Sequence, residues 1–168
     1  MTIYPTAKIC DRTKRTMGRD TTIGDFSFIC SNELVMEDGS MIARFVEVSG
    51  RGKVHLKEGA VIASHCSVLT STDRTDAKMN DASPEEERNI LTADVTIGRY
   101  AFVGNHCVIM PGVTIGDWAV VGAGSYIDKD VPPHTVIRPR QELVAKARVI
   151  RSERMIRTTS AGEDHNGL

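Results

Sequence analysis

Aliphatic residues recur at every sixth position through the C-terminal half of the chain: Ile97, Val103, Ile109, Ile115, Val121 and Ile127. Each begins the same short pattern of aliphatic, small, two variable, small and variable residues, and Gly98, Gly104, Gly116 and Gly122 directly follow four of the anchors. Six residues of α-helix rotate through about 600°, so helical anchors would face different ways. In a strand six is a multiple of two, and the anchors share one face. The small residues suit tight corners, where bulk would clash and Gly takes φ > 0. Short strands joined by corners wind into a coil with three flat sides, three hexads to a turn. Reading backwards in threes, with small insertions, predicts about five turns. Their anchors are Ile23, Ile29, Val35; then Ile42, Val48, Leu56; then Ile62, Val68, Leu91; then Ile97, Val103, Ile109; then Ile115, Val121, Ile127. The first column of this register is isoleucine throughout, and like side chains stack in a narrow triangular prism.

Two segments break the period. Between Val68 and Leu91 the chain inserts residues 73–90, with six acidic and three basic side chains. Such a segment cannot be core. It predicts a protruding loop, either a tolerated insertion or a functional wall on a rigid scaffold. After Pro133 the hexads end, and Arg140 to Met155 has Leu143, Val144, Ala147 and Ile150 at helical spacing. The predicted organisation is a β-helix domain over 1–137 with the 73–90 insertion, a C-terminal basic α-helix over 138–157, and a mobile tail over 158–168. From Arg138 to Arg157 seven basic residues face two acidic ones, which fits a solvated helix face or a phosphate patch.

Composition narrows the classes further. A chain of 168 residues has room for one domain, and 40% hydrophobic with 26% charged residues is ordinary for a globular protein. With a net charge of −1, nothing in the global balance argues for a nucleic-acid partner, and none is expected. No apolar run approaches the roughly 18–20 residues that span a bilayer, and no signal pattern opens the chain, so no membrane association and a cytoplasmic location are expected. Cys10, Cys30, Cys66 and Cys107 form no CxxC pair and match no zinc spacing. They read as four small buried residues, with no metal site.

The string Val95-Thr-Ile-Gly through Cys107-Val-Ile-Met-Pro-Gly-Val-Thr-Ile-Gly-Asp, followed by Val121-Gly-Ala-Gly-Ser and Asp128-Lys-Asp-Val-Pro-Pro133, resembles the hexapeptide-repeat acyltransferases. The resemblance covers Thr21 to Pro133, with a weaker tail to Arg151. It implies an all-β fold, a left-handed parallel β-helix that departs from the right-handed crossover rule. It also implies acetyl-coenzyme A as acyl donor, a small-molecule sugar acceptor, and a homotrimer with sites between subunits. By the same resemblance Gly104, Gly122, Ala123, Ser125 and Lys129, with Arg148 and Arg151 of the tail, contact the donor. The tail lacks the family's G-N-P and has Val144-Ala145-Lys146 in its place.

In the resembled sugar acetyltransferases a catalytic His stands in a string like T-x-T/G-H-P. The matching string here is Thr70-Ser71-Thr72-Asp73-Arg74, with Asp73 at the His position. A branch that resembles amino-sugar acetyltransferases carries Asp there too. The register above sets His106 on one corner line with Asp73, one turn apart, and a His beside a carboxylate is a better base. It sets His65 on another corner line, with Tyr100 and Trp118; the resemblance gives the His65 position an acceptor contact. Asp73, His106 and His65 are therefore the catalytic candidates, the alternative being that both histidines are surface corner residues. His55 and His134 read as surface residues and His165 lies in the tail.

A hydroxyl acceptor needs a strong positioned base, whereas a neutral amine is already nucleophilic. Loss of the usual His thus favours transfer to the amino group of a nucleotide-linked amino sugar, in surface-glycan synthesis. A sugar O-acetyltransferase and a non-catalytic β-helix assembly module are the alternatives. A trimeric zinc carbonic anhydrase-like enzyme would need an H-x4-H pair, which is missing.

Overall fold

The computed structural model describes residues 1–79 and 82–139. Its strands are two to four residues long, because every hexad must end in a corner. They stack as three parallel faces. The first face runs Thr2–Ile3, Thr22–Ile23, Met41–Ile42, Val61–Ile62, Phe102–Val103, Val120–Val121 and Val136–Ile137. The second runs Lys8–Ile9, Phe28–Cys30, Glu47–Ser49, Ser67–Leu69, Val108–Ile109 and Tyr126–Ile127. The third runs Lys14–Met17, Glu33–Met36, Lys53–Leu56, Val95–Ile97 and Thr114–Ile115, and continues as a single parallel bridge from Ile115 to Val131. This is the left-handed parallel β-helix that the family resemblance implies.

The core is the inside of the prism. Ile23, Ile42, Ile62, Val103 and Val121 form one fully buried column, and Ile29, Val48, Val68 and Ile109 another. The small corner positions carry Ser and Thr as readily as Ala, because each hydroxyl satisfies itself on a turn carbonyl. Thr13 donates to Ser31 O at 2.8 Å, Ser40 to Glu37 O at 2.7 Å and Thr70 to Ser49 O at 2.9 Å. Among the described residues no buried side-chain nitrogen or oxygen lacks a partner.

The register differs from the expected one in four places. The helix begins one turn earlier, at Thr2–Met17, with Ile3, Ile9 and Met17 packed against the core, so six turns are complete and Val136–Ile137 opens a seventh. Val35 faces outward, and Leu34 and Met36 point inward in its place. Leu91 is no anchor: it pairs with Thr72 in an antiparallel hairpin of Ser71–Asp73 with Ile90–Thr92 at the base of the loop. Ile97 instead stacks on Leu56 and closes the turn that Ile62 and Val68 begin. Every later anchor therefore shifts by one face, with Val103 on Ile62 and Ile109 on Val68. The all-isoleucine first column was a coincidence of similar hexads.

The cysteines divide into two pairs. Cys66 and Cys107 are free and buried, as expected, whereas Cys10 and Cys30 are joined by a disulfide between the first two turns. Their positions follow the second-face anchors Ile9 and Ile29, which are paired in register, so both thiols leave the core on the same side. The basic α-helix predicted after Arg138, with Arg148 and Arg151, lies outside the described residues from position 140 onward. Among the described residues no helix is long and apolar enough to cross a membrane.

Candidate active site

Four successive corners between the first and second faces each hold one non-glycine residue in the left-handed backbone region: Phe26, Phe45, His65 and His106, with φ of 58°, 57°, 61° and 58°. All four stand three positions after a first-face anchor, so parallel pairing places their side chains one above another, about one strand spacing apart. Flat rings at that spacing stack. Centroids lie 5.0 Å apart for Phe26–Phe45, 4.8 Å for Phe45–His65 and 4.8 Å for His65–His106, with planes inclined by 12°, 4° and 6°. The turns are tied together as well, His65 N donating to Arg44 O and His106 N to Ser64 O, each at 3.2 Å.

The next residue on this corner line is Gly124, whose N donates to Asn105 O at 2.8 Å. Its φ is +75°, and a Cβ built on it would meet nothing within 4 Å. The aromatic column therefore ends at His106, and the next corner position carries no side chain. Ala123 and Gly124 are exposed there and Lys129 is exposed beyond them. Ser125 is buried, its hydroxyl donating to Gly122 O at 2.6 Å. Gly104 and Gly122 have packing reasons of their own: a Cβ on Gly104 would sit 2.6 Å from Ala123 N, and one on Gly122 2.9 Å from Ile137 O.

Asp73 is elsewhere. The shifted register removes it from the His106 corner line and puts it at the loop base, where its strand pairs with Ile90–Thr92. There Arg88 grips it, Nε to Oδ1 at 3.0 Å and Nη2 to Oδ1 and Oδ2 at 2.8 and 3.0 Å. His65 likewise leaves the Tyr100–Trp118 line. Those two rings stack on the corner between the third and first faces, 4.6 Å apart, with the Tyr100 hydroxyl donating to Glu58 at 2.8 Å. That bond and the Glu58 charge raise the Tyr100 pKa above the ordinary phenol value. The Tyr100 ring lies over Gly59, where a Cβ would approach it to 2.5 Å.

The other candidate groups offer less chemistry. Burial pushes the Cys66 thiol up to about 11, so it is no nucleophile at neutral pH. His55 meets Glu37 at 2.7 Å on the third face. No group of three His, Cys, Asp or Glu among the described residues could hold a metal. Sequence reasoning missed the Phe26–Phe45 half of the column and the Arg88 partner of Asp73. The shared +3 offset from Ile23, Ile42, Ile62 and Val103 was the available signal for the column. The pairing of residues 73 and 88 left none, because it depends on how the loop folds back.

Residues 94–129 match the family model described as bacterial transferase hexapeptide (six repeats). A stretch of 42 residues, 25% of the chain, is 57% identical to galactoside O-acetyltransferase of Escherichia coli strain K12 and covers 21% of that protein. Over 125 residues, 72% of the chain, identity is 28% to dTDP-4-amino-4,6-dideoxy-D-glucose acyltransferase of Escherichia coli, covering 65% of it. The matched stretches thus span less than two thirds of either relative. The fold superposes with a TM-score of 0.71 on the crystal structure of AntD, an N-acyltransferase from Bacillus cereus in complex with dTDP and 3-hydroxybutyryl-CoA. Identity there is 21%, covering 94% of this chain and 89% of that one.

Proposed function

We propose that this chain, which carries the hexapeptide repeat of bacterial transferases over residues 94–129, is an acetyltransferase that moves the acetyl group of acetyl-coenzyme A to the amino group of a nucleotide-linked amino sugar. The observation that carries the reading is the end of the aromatic column: an exposed imidazole, His106, stands one turn from Gly124, which carries no side chain. On this reading the base would stand beside the path of a pantetheine arm laid over Gly124. The similarity extending over most of the chain, to a dTDP-4-amino-sugar acyltransferase, supports an amine acceptor.

The chemistry asks little beyond positioning. As the amine nitrogen bonds to the acetyl carbon, the carbon–sulfur bond breaks, the coenzyme A thiolate leaves, and His106 takes the proton the nitrogen sheds. His65, stacked beneath it, holds the His106 ring in plane. Proximity supplies most of the acceleration and the base a smaller share.

Asp73 belongs to the same reaction only if a second copy brings it there, since one chain holds it apart from the histidines. A homotrimer with sites between subunits resolves this: the His65–His106 corner of one copy faces the loop base of the next. The first face offers the apolar surface for that assembly. Met41, Val61, Phe102, Val120 and Val136 form one paired outward row on it, and Phe102, Val120 and Val136 are 43%, 37% and 58% exposed. An apolar stripe of this kind is normally covered. Surface-glycan synthesis is the setting such a product suits.

A second reading, transfer to a sugar hydroxyl, draws on the 57% identity to galactoside O-acetyltransferase over 42 residues. Calorimetric titration with acetyl-coenzyme A, followed by mass spectrometry of a nucleotide-linked amino sugar and of its hydroxyl counterpart, separates the possibilities. Saturable donor binding with acetylation of the amine is expected. Acetylation of the hydroxyl alone selects the second reading, and no donor binding at millimolar concentration leaves the assembly module.

A further inference from the structure

At the corner joining the second and third faces, beneath the protruding loop, lies a cleft of about 440 Å³ lined by Arg12, Arg51, Ser71, Thr72, Asp73 and Arg88. Its three guanidiniums come from three separate parts of the chain: the first turn, the third turn and the loop. Two of them are neutralised. Arg88 holds Asp73 through both nitrogens of its fork, and Arg51 pairs with Glu85 of the loop. Arg12 is not. Its Nη2 donates to the carbonyl oxygens of Cys30, at 3.1 Å, and Gly50, at 3.5 Å, and among the described residues it meets no carboxylate. Two carbonyl oxygens hold the guanidinium without cancelling its charge, so Arg12 is the guanidinium of the cleft that meets no carboxylate among the described residues.

Gly50 allows that geometry. Its φ is +118°, and a Cβ there would lie 2.4 Å from both Ser71 N and Thr70 Oγ1, so only Gly lets the turn pass so close to the loop base. Ser71 is already engaged, accepting from Arg51 N at 2.9 Å and sharing a 2.9 Å bond with Thr92. The Thr72 hydroxyl has only a 3.4 Å contact to Asp73 O and remains able to donate elsewhere. A planar fork with unspent N–H groups and a charge no carboxylate cancels, beside the Thr72 hydroxyl, matches phosphate oxygens better than a neutral ligand. A volume of this size also exceeds what a single inorganic ion fills.

We propose that this cleft binds the diphosphate of the nucleotide-linked acceptor, with Arg12 as its charge partner and Thr72 as a donor. The inference rests on the amino-sugar reading above and adds to it the group by which the acceptor is held. Arg88, tied to Asp73, would then set the position of the Asp73 carboxylate at the cleft.

The test uses the full chain and three probes titrated separately at low salt: inorganic pyrophosphate, dTDP and coenzyme A. Pyrophosphate and dTDP should bind the native protein. Arg12→Gln should weaken both by about 10-fold or more, the worth of one charge-assisted hydrogen-bonded partner, and leave coenzyme A affinity unchanged. Arg15→Gln, an exposed residue of the first-turn strand Lys14–Met17 that does not line the cleft, should change none of the three. Arg51→Gln leaves the first turn intact and exposes the Glu85 charge, so it should also weaken pyrophosphate, should Arg12→Gln fail to fold. Pyrophosphate and dTDP affinities indifferent to Arg12→Gln and Arg51→Gln overturn the proposal. So does a parallel loss of coenzyme A affinity, which would assign the cleft to the donor's phosphates. Coenzyme A binding without diphosphate binding removes this inference and leaves the transferase reading standing; absence of both removes the transferase reading as well.

Discussion

The imidazoles of His65 and His106 lie 4.8 Å apart with planes within 6° of parallel, although the whole protruding loop separates them in the sequence. Both occupy left-handed corners one turn apart, and both extend a stack that Phe26 and Phe45 begin. His106 is covered by a ring on one side and by the Gly124 gap on the other. The two histidines therefore have unequal tasks, although they look alike in sequence.

This inequality should appear in kinetics. His106→Ala is expected to lower kcat for amine acetylation by about 10²–10⁴-fold, the usual worth of a positioned base, with little change in KM for acetyl-coenzyme A. His65→Ala should lower it less, because it removes only the ring that holds His106 in plane. Steady-state assays of the two variants check the order; equal losses, or a larger loss from His65, would reverse the assignment.

The column also carries a backbone signature. Phe45 sits at φ 57° between two stacked rings. Phe45→Ala loses the stacking and keeps a Cβ in the left-handed region, whereas Phe45→Gly loses the stacking and relieves that strain. The Gly variant should be the more stable of the two, by about 1 kcal/mol. Urea midpoints decide, and an Ala variant as stable as the Gly variant would show that the corner relaxes instead.

Two aspartates give the prism an acid limit. Asp38 Oδ1 accepts Arg19 N at 2.7 Å and its Oδ2 accepts the Arg19 guanidinium at 2.9 and 2.6 Å. Asp117 holds Arg99 in the same way, at 2.8 Å to the backbone N and 3.0 Å to Nε. In each case the backbone bond first and the guanidinium second lower the carboxyl below its ordinary pKa. The folded state thus binds fewer protons than the unfolded chain, and stability rises with pH across this window. The contribution is full above the unfolded carboxyl pKa of about 3.9 and is lost as pH falls through the lowered folded values. An Asp38→Asn, Asp117→Asn double variant should be less stable than the native protein at neutral pH. That gap should close below about pH 4. A gap that persists unchanged at pH 2 would contradict the sign.

The Cys10–Cys30 bond joins the first two turns across a separation of 20 residues. Protein unfolded without reductant should titrate only the Cys66 and Cys107 thiols, and all four cysteines after reduction. A Cys10→Ser, Cys30→Ser variant should lose roughly 3 kcal/mol of stability on the loop-closure account, with range on both sides. Thiol titration and denaturant unfolding provide the two readings.

The hexad by itself determined the kind of structure. Ile97, Val103, Ile109, Ile115, Val121 and Ile127 do point inward on short strands, because the side-chain alternation of a strand is a local property that a period of six preserves. The protruding charged segment and the corner placement of His65 and His106 were legible for the same reason. Which face each hexad occupies was not. A hexad looks the same on all three sides of the prism, and an insertion can return the chain at any of them. Only the backbone pairing of Ile97 with Leu56, and of Leu91 with Thr72, decided that Val103 stacks on Ile62. That one choice brought His106 onto His65, sent Asp73 to Arg88, and left Arg12 facing the cleft beneath the loop. These are contacts between turns, set by register rather than by sequence neighbours, and the tertiary fold alone supplies them.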